Sequence, residues 1–217
     1  MSHFKVLVVG DDVETQLEAF DETRQVEFSD CTERIATEWA EYQAKNPQNE
    51  YGDLDTFAEE YFGYEKHNGV YGHFHNPLGR WDWWVVGGRY GSYLINKAGK
   101  AGDSFKVKDI DFAAMERRNE ENAKEWWAEA HQEKNAAMAG FLYGIEPDMT
   151  MDEYVKQRTA ISAWAVLIGN NWIERGEMGW FGMSHNETDH SVWEAEMAKF
   201  LKNLDPEQTL TVVDCHV

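Results

Sequence analysis

Residues 80–95 read RWDWWVVGGRYGSYLI, placing three tryptophans, two tyrosines, three glycines, two arginines and one carboxylate in sixteen positions. A β-branched and aromatic run, a Gly-Gly pair and a second aromatic run form the pattern of a hairpin. It predicts strands at residues 81–86 and 89–95, with Gly87 and Gly88 supplying the positive φ angles of a tight turn. Strand alternation puts Trp81, Trp83 and Val85 on one face and Asp82, Trp84 and Val86 on the other. One set fills the core and the other lines a cleft.

Working outward, residues 4–9 (FKVLVV) form a short apolar run suited to a central strand covered on both faces. Gly10 and Asp11-Asp12 end it with neither a GxGxxG nor a Walker lysine, so a turn with a helix cap is the reading. Helices are expected at residues 32–44 and 54–62, the second stopped by Gly63, with their aromatic stripe packed on the sheet. Residues 63–79 lack a helical period and read as an irregular loop. Asp111 is placed to cap a long helix to about residue 138, sparse in apolar positions, which either projects or meets a partner at one end. Thr150 with Glu153 and Ser191 with Glu194 are capping-box patterns. Residues 161–168 and 171–174 form a hairpin about Gly169-Asn170, and residues 209–213 are a last strand. Strands and helices are segregated rather than alternating, which predicts an α+β fold on a largely antiparallel sheet with helices packed on it. A single domain, residues 1–217, with a helical insertion at about 97–158 is the simplest partition.

The chain has 217 residues and a net charge of −20. Between Asp11 and Glu65, 17 acidic side chains stand against 3 basic ones. Such a surface repels nucleic-acid phosphates and anionic membranes, so neither direct nucleic-acid nor membrane binding is expected. Its plain role is solubility, and its sharper one is mimicry of nucleic acid toward a host protein. Two cysteines, Cys31 and Cys215, make no disulfide or zinc framework. With no bilayer-length apolar run or signal sequence, a soluble cytoplasmic protein is expected.

The blocks SHFKVLVVGDD, WDWWVVGGRYG, NWIERGEMGWFG and TLTVVDCHV together resemble a family of small accessory proteins of tailed bacteriophages and prophages. The resemblance spans the chain apart from the acidic helices and the long helix. It implies a phage-encoded protein acting in the host bacterial cytoplasm, where inhibitors and sponges of host immunity operate.

Four groups of residues carry candidate chemistry. The two Gly/aromatic segments offer Trp83, Trp84, Tyr90, Trp180 and Phe181 as stacking platforms for a base, and Arg80, Arg89 and Arg175 as phosphate ligands. That set predicts a nucleotide-derived host signal bound and sequestered without a cofactor, against the plain alternative that the tryptophans are core and the glycines are turns. The second group, His73 with His75 and His185 with Asp189 and His190, has spacings compatible with metal-assisted hydrolysis of such a signal. Third, His3, Asp214, Cys215 and His216 meet if the first and last strands pair, as a Cys/His or His/Asp group. Two histidines across a sheet suggest a phosphoesterase, but the His-x-Thr/Ser tetrapeptides of the two-histidine type are missing. Fourth, Glu174, Glu177 and Asp82 are candidate paired carboxylates, with Arg175 as a competing ion-pair partner. The named partners are therefore a nucleotide-like small molecule and a host defence protein, with self-association through the long helix.

Overall fold

A computed structural model describes residues 2–133, 136–178 and 183–217. It is an α+β protein whose chain divides into two compact units, one of residues 1–19 with 80–217 and one of Phe20–Gly79.

In the first unit the strands are β1 (His3–Val9), β5 (Trp83–Val86), β6 (Leu94–Ile95), β7 (Ala101–Gly102), β8 (Ser104–Lys106), β9 (Ala165–Ile168), β10 (Asn171–Glu174), β11 (Glu177–Met178), β12 (Ser184–His185) and β13 (Thr209–His216). Its helices are α1 (Val13–Glu18), α4 (Phe112–Ala130), α5 (Ala136–Tyr143), α6 (Met151–Thr159) and α7 (His190–Lys202). The second unit contains β2 (Ser29–Asp30), β3 (Glu65–His67) and β4 (Val70–His73) with α2 (Thr32–Lys45) and α3 (Leu54–Phe62).

Among the described residues the main sheet is six-stranded, in the order β10-β9-β1-β13-β5, with β8 beside β5 along the same edge of β13. Only the β1–β9 pair is parallel in it. The run Val6–Val9 is buried on both faces, as the apolar run predicts. One face carries Leu7, Val9, Val166, Leu210 and Val212 against Met115 of α4 and Trp193, Met197 and Leu201 of α7. Burial at roughly 25 cal/mol per Å2 of apolar surface drives this packing.

The hairpin at residues 81–95 does not form. β5 pairs with β13, and β6 pairs with β7. Gly87 and Gly88 have the expected positive φ, +73° and +52°, but they start a 3-10 turn (Gly88–Tyr90) instead of joining two paired strands. Two carboxylates displace the expected geometry. A Cβ on Gly87 would lie 2.6 Å from Asp103 Oδ2, and one on Gly88 would lie 2.5 Å from Asp214 Oδ2. The glycines thus admit close approach of acidic side chains to backbone.

The tryptophan alternation also changes. Asp82 is a bend outside the strand, so the parity shifts before Trp83. Trp81 is buried and meets Trp84 edge-on at 6.5 Å, while its indole N–H donates to the Leu17 carbonyl at 3.2 Å. Trp81 therefore sides with Trp84, leaving Trp83 half exposed on the opposite face.

The long helix ends at Ala130, where Nδ1 of His131 meets the Trp127 carbonyl at 2.8 Å. Its polar stretch does not project. Arg118 donates to the Ser92 and Tyr93 carbonyls, and Asn119 reaches the Thr159 and Ala160 carbonyls at 3.3 and 3.4 Å. The Thr150–Glu153 capping box is present, whereas α7 is capped two residues earlier than expected by Asp189, which accepts from the Ser191 and Val192 amides.

In the second unit, α2 and α3 pack through Ile35 and Ala58 onto Tyr64 and Tyr71, so the helices expected on the main sheet have a small sheet of their own. The segment read as irregular supplies that sheet, β3 and β4, in the antiparallel order β2-β4-β3. Asp53 caps α3 and Gly63, at φ +67°, ends it as expected.

Candidate functional site

Pairing of the first and last strands sets the site. His3 lies directly opposite His216 and Lys5 opposite Asp214, and β5 adds Trp83 opposite His216 and Val85 opposite Asp214. Cross-strand partners share a face. His3, Lys5, Asp214, His216, Trp83 and Val85 therefore line one face at the end of the sheet, while Phe4, Cys215 and Trp84 line the other.

Each histidine is held by its own carboxylate. Nδ1 of His3 is 3.0 Å from Asp214 Oδ1, and Nδ1 of His216 is 2.5 Å from Asp82 Oδ1. The two rings meet edge-on with centroids 5.2 Å apart, and the Trp83 indole stands edge-on to His3 at 6.4 Å. An Nδ1–carboxylate contact fixes ring orientation and leaves Nε2 as the nitrogen available for chemistry. In His216 that Nε2 is buried and has no hydrogen-bond partner among the described residues.

The two carboxylates sit in different surroundings. Asp214 is buried, and its Oδ2 accepts the Arg89 amide at 2.9 Å from the turn that Gly88 allows. Asp82 is about a third exposed, and its amide donates to the His216 carbonyl at 2.9 Å. Tyr90 closes the inner side, its hydroxyl donating to the His3 carbonyl at 3.1 Å. Burial, with the Asp214 charge nearby, raises the Tyr90 hydroxyl above its ordinary range.

Behind this cluster lies Lys5, its Nζ 3.5 Å from the centre of the Tyr93 ring. Burial, reinforced by the Arg118 charge, pushes its ammonium down to about 7. On the opposite face the Cys215 thiol is buried, and desolvation with the Asp214 charge pushes it far above its ordinary range. A thiolate nucleophile is thereby disfavoured, which reduces the expected Cys/His or His/Asp group to His/Asp.

The expected binding residues divide. Trp83, Arg89 and Tyr90 gather at the histidine end. Trp83 is 51% exposed, and the exposed Arg89 side chain has no ion-pair partner among the described residues. Trp84 turns to the other face. Arg80 is paired with Glu174 at 3.1 Å and Arg175 with Glu187 at 2.7 Å. Trp180 and Phe181 lie outside the described residues; among the described residues His3 stands edge-on to Trp83 and His216 is its cross-strand partner.

Among the other histidines, His73, His75 and His190 make local contacts. His73 and His75 stack at 4.9 Å, with the His75 amide donating to His73 Nδ1 at 3.1 Å. Asp189 caps α7, and His190 Nε2 contacts the Gln157 carbonyl at 3.2 Å. Among the described residues no group of three or more His, Cys, Asp or Glu side chains is placed to hold a metal ion. No helix among them is long and apolar enough to cross a membrane. Of the carboxylate trio, Glu174 is engaged by Arg80 and Glu177 by Asn186, leaving Asp82 to the histidine cluster.

Sequence reasoning groups Asp214 with His3 and His216 on the condition that the first and last strands pair, whereas Asp82 as the partner of His216 escapes it. The available signal was the length of the last strand: extended to residue 216, it brings a His-x-Asp pattern read backwards from the C-terminus opposite His3. Comparison with protein-family models, curated proteins and solved structures finds no match to this chain.

Proposed function

We propose that the protein binds a nucleotide-derived anion at the His3–His216 end of the main sheet and withholds it from a host defence pathway in the bacterial cytoplasm. The observation that carries this reading is that half-exposed Trp83 and Arg89, which has no ion-pair partner among the described residues, both adjoin the His3–Asp214 contact, Trp83 at the His3 ring and Arg89 through its amide on Asp214, in a chain of net charge −20. An aromatic face contributes roughly 1–3 kcal/mol to a stacked base. An unpaired guanidinium offers a phosphate charge-assisted, bidentate hydrogen bonds. The resemblance to phage accessory proteins supports the sequestering role.

Calorimetry across cyclic dinucleotides and ADP-ribose derivatives tests it. One of these classes binds, and Trp83→Ala and Arg89→Ala each weaken it at least about tenfold, in line with the loss of one stacked base or one charged contact. Absence of binding across both classes, or binding indifferent to both substitutions, removes the reading.

A further inference from the structure

We infer that the two His–Asp pairs make this end of the sheet a cleavage site for ribonucleotide phosphodiesters, working by acid–base catalysis with the substrate's own 2′-hydroxyl as nucleophile. The inference rests on the binding reading above, because Trp83 and Arg89 are needed to hold the base and the phosphate.

The geometry supplies two proton-transfer groups at one point. His3 and His216 are direct cross-strand partners with ring centroids 5.2 Å apart. Both use Nδ1 on a carboxylate, at 3.0 and 2.5 Å, so each presents one Nε2. A core or capping histidine does not need a neighbour with the same arrangement. A base and an acid acting on opposite oxygens of one phosphate need this duplication. The buried Nε2 of His216 lacks a partner among the described residues, which is costly unless another group meets it. Trp83 is its cross-strand neighbour on the same face and is half exposed. A swing of that indole admits the substrate and carries the base with it.

The reaction balances without an added reagent. One imidazole takes the 2′-hydroxyl proton as the 2′-oxygen bonds to phosphorus. The bond from phosphorus to the 5′-oxygen breaks, and the other imidazole, starting protonated, gives its proton to the departing oxygen. The products are a 2′,3′-cyclic phosphate and a free 5′-hydroxyl; the histidines have exchanged protonation states and are reset by solvent. The nucleophile is already part of the substrate, which replaces the entropy cost of recruiting water. Asp82 and Asp214 are positioning residues that fix the rings, and Arg89 faces the charge that gathers on the phosphate oxygens.

The test uses the full chain with adenylyl-3′,5′-adenosine and its 2′-deoxy counterpart, in the presence of a chelator, followed by chromatography and calorimetry. The ribonucleotide gives adenosine 2′,3′-cyclic phosphate and adenosine, while the deoxy compound binds and stays intact. His3→Gln and His216→Gln each slow cleavage at least about 100-fold, with affinity for the deoxy compound held within about threefold. Asp82→Asn, at a partly exposed carboxylate, gives a variant independent of burial and slows cleavage at least about tenfold. Cleavage of the deoxy compound at a similar rate, or unchanged cleavage by the substituted proteins, overturns the inference. Binding of either dinucleotide without cleavage of the ribonucleotide overturns the activity and leaves the binding reading standing. No binding and no cleavage removes both for this substrate class.

Discussion

His3 and His216 are direct partners across the β1–β13 ladder, yet each is anchored by a carboxylate from a different place, Asp214 within β13 and Asp82 in the bend before β5. The same two rings therefore depend on unequal supports.

That inequality predicts different costs. Asp214→Asn removes a buried charge that accepts from the Arg89 amide and holds His3, so roughly 2–4 kcal/mol of stability is lost. Asp82→Asn, on the exposed side, costs under about 1 kcal/mol. Urea unfolding of both variants checks this; equal losses would show that burial of Asp214 does not govern its role.

Gly88→Ala is expected to be among the most damaging single-methyl changes in the chain. The added Cβ meets Asp214 Oδ2 at 2.5 Å, Asp214 Cβ at 2.6 Å and Val85 Cγ1 at 2.8 Å, at a φ of +52°. A loss of roughly 2–4 kcal/mol follows from overpacking plus left-handed strain, with the Arg89 amide displaced from Asp214. Denaturant melts give the stability, and amide exchange at Arg89 reports the displacement.

Lys5→Met should stabilise the fold at neutral pH. The folded pKa of about 7 lies below the ordinary 10.5. Between those values the unfolded chain binds the extra proton, so stability rises with pH across the window, and the burial penalty is complete below about pH 7. The substitution removes that penalty, a gain of roughly 2–4 kcal/mol at pH 6 after loss of the Tyr93 cation–π contact, shrinking toward pH 10. Melts of both proteins at pH 6, 8 and 10 measure the gap, and a gap independent of pH would refute the assignment.

Native-state alkylation should discriminate the cysteines. Cys215 is buried with its thiol pushed up, whereas Cys31 is half-buried. Iodoacetamide at pH 8 therefore labels Cys31 first, and Cys215 only on unfolding. Peptide mass spectrometry reads the order; early labelling of Cys215 contradicts its placement.

Local rules made the elements legible, and tertiary demands hid the site. The Gly63 stop, the Asp111 cap, the Thr150–Glu153 box and the Gly169-Asn170 turn all rest on short-range backbone chemistry, and the structure contains each of them. Gly87-Gly88 has the positive φ a hairpin requires, but its function is to let Asp103 and Asp214 approach, a contact with residues 16 and 126 positions further along the chain. Period-two alternation failed at Trp81 because one bend at Asp82 inverts every assignment before it. Pairing of the chain's two end strands was readable as a condition, and it placed His3, Asp214 and His216 together; the separate Asp82 partner needed the bend that the sequence pattern does not mark.

The strand at the middle of the main sheet is made after every strand it pairs with. β13 pairs with β1, β5 and β8, so three strands lack their common partner until residues 209–216 have emerged from the ribosome. The contiguous segment Phe20–Gly79 has no such dependence. At a synthesis rate of about 5–20 residues per second, the acidic unit has several seconds in which to fold before the histidine pair exists. Any activity of that pair is consequently withheld until residues 209–216 have been made.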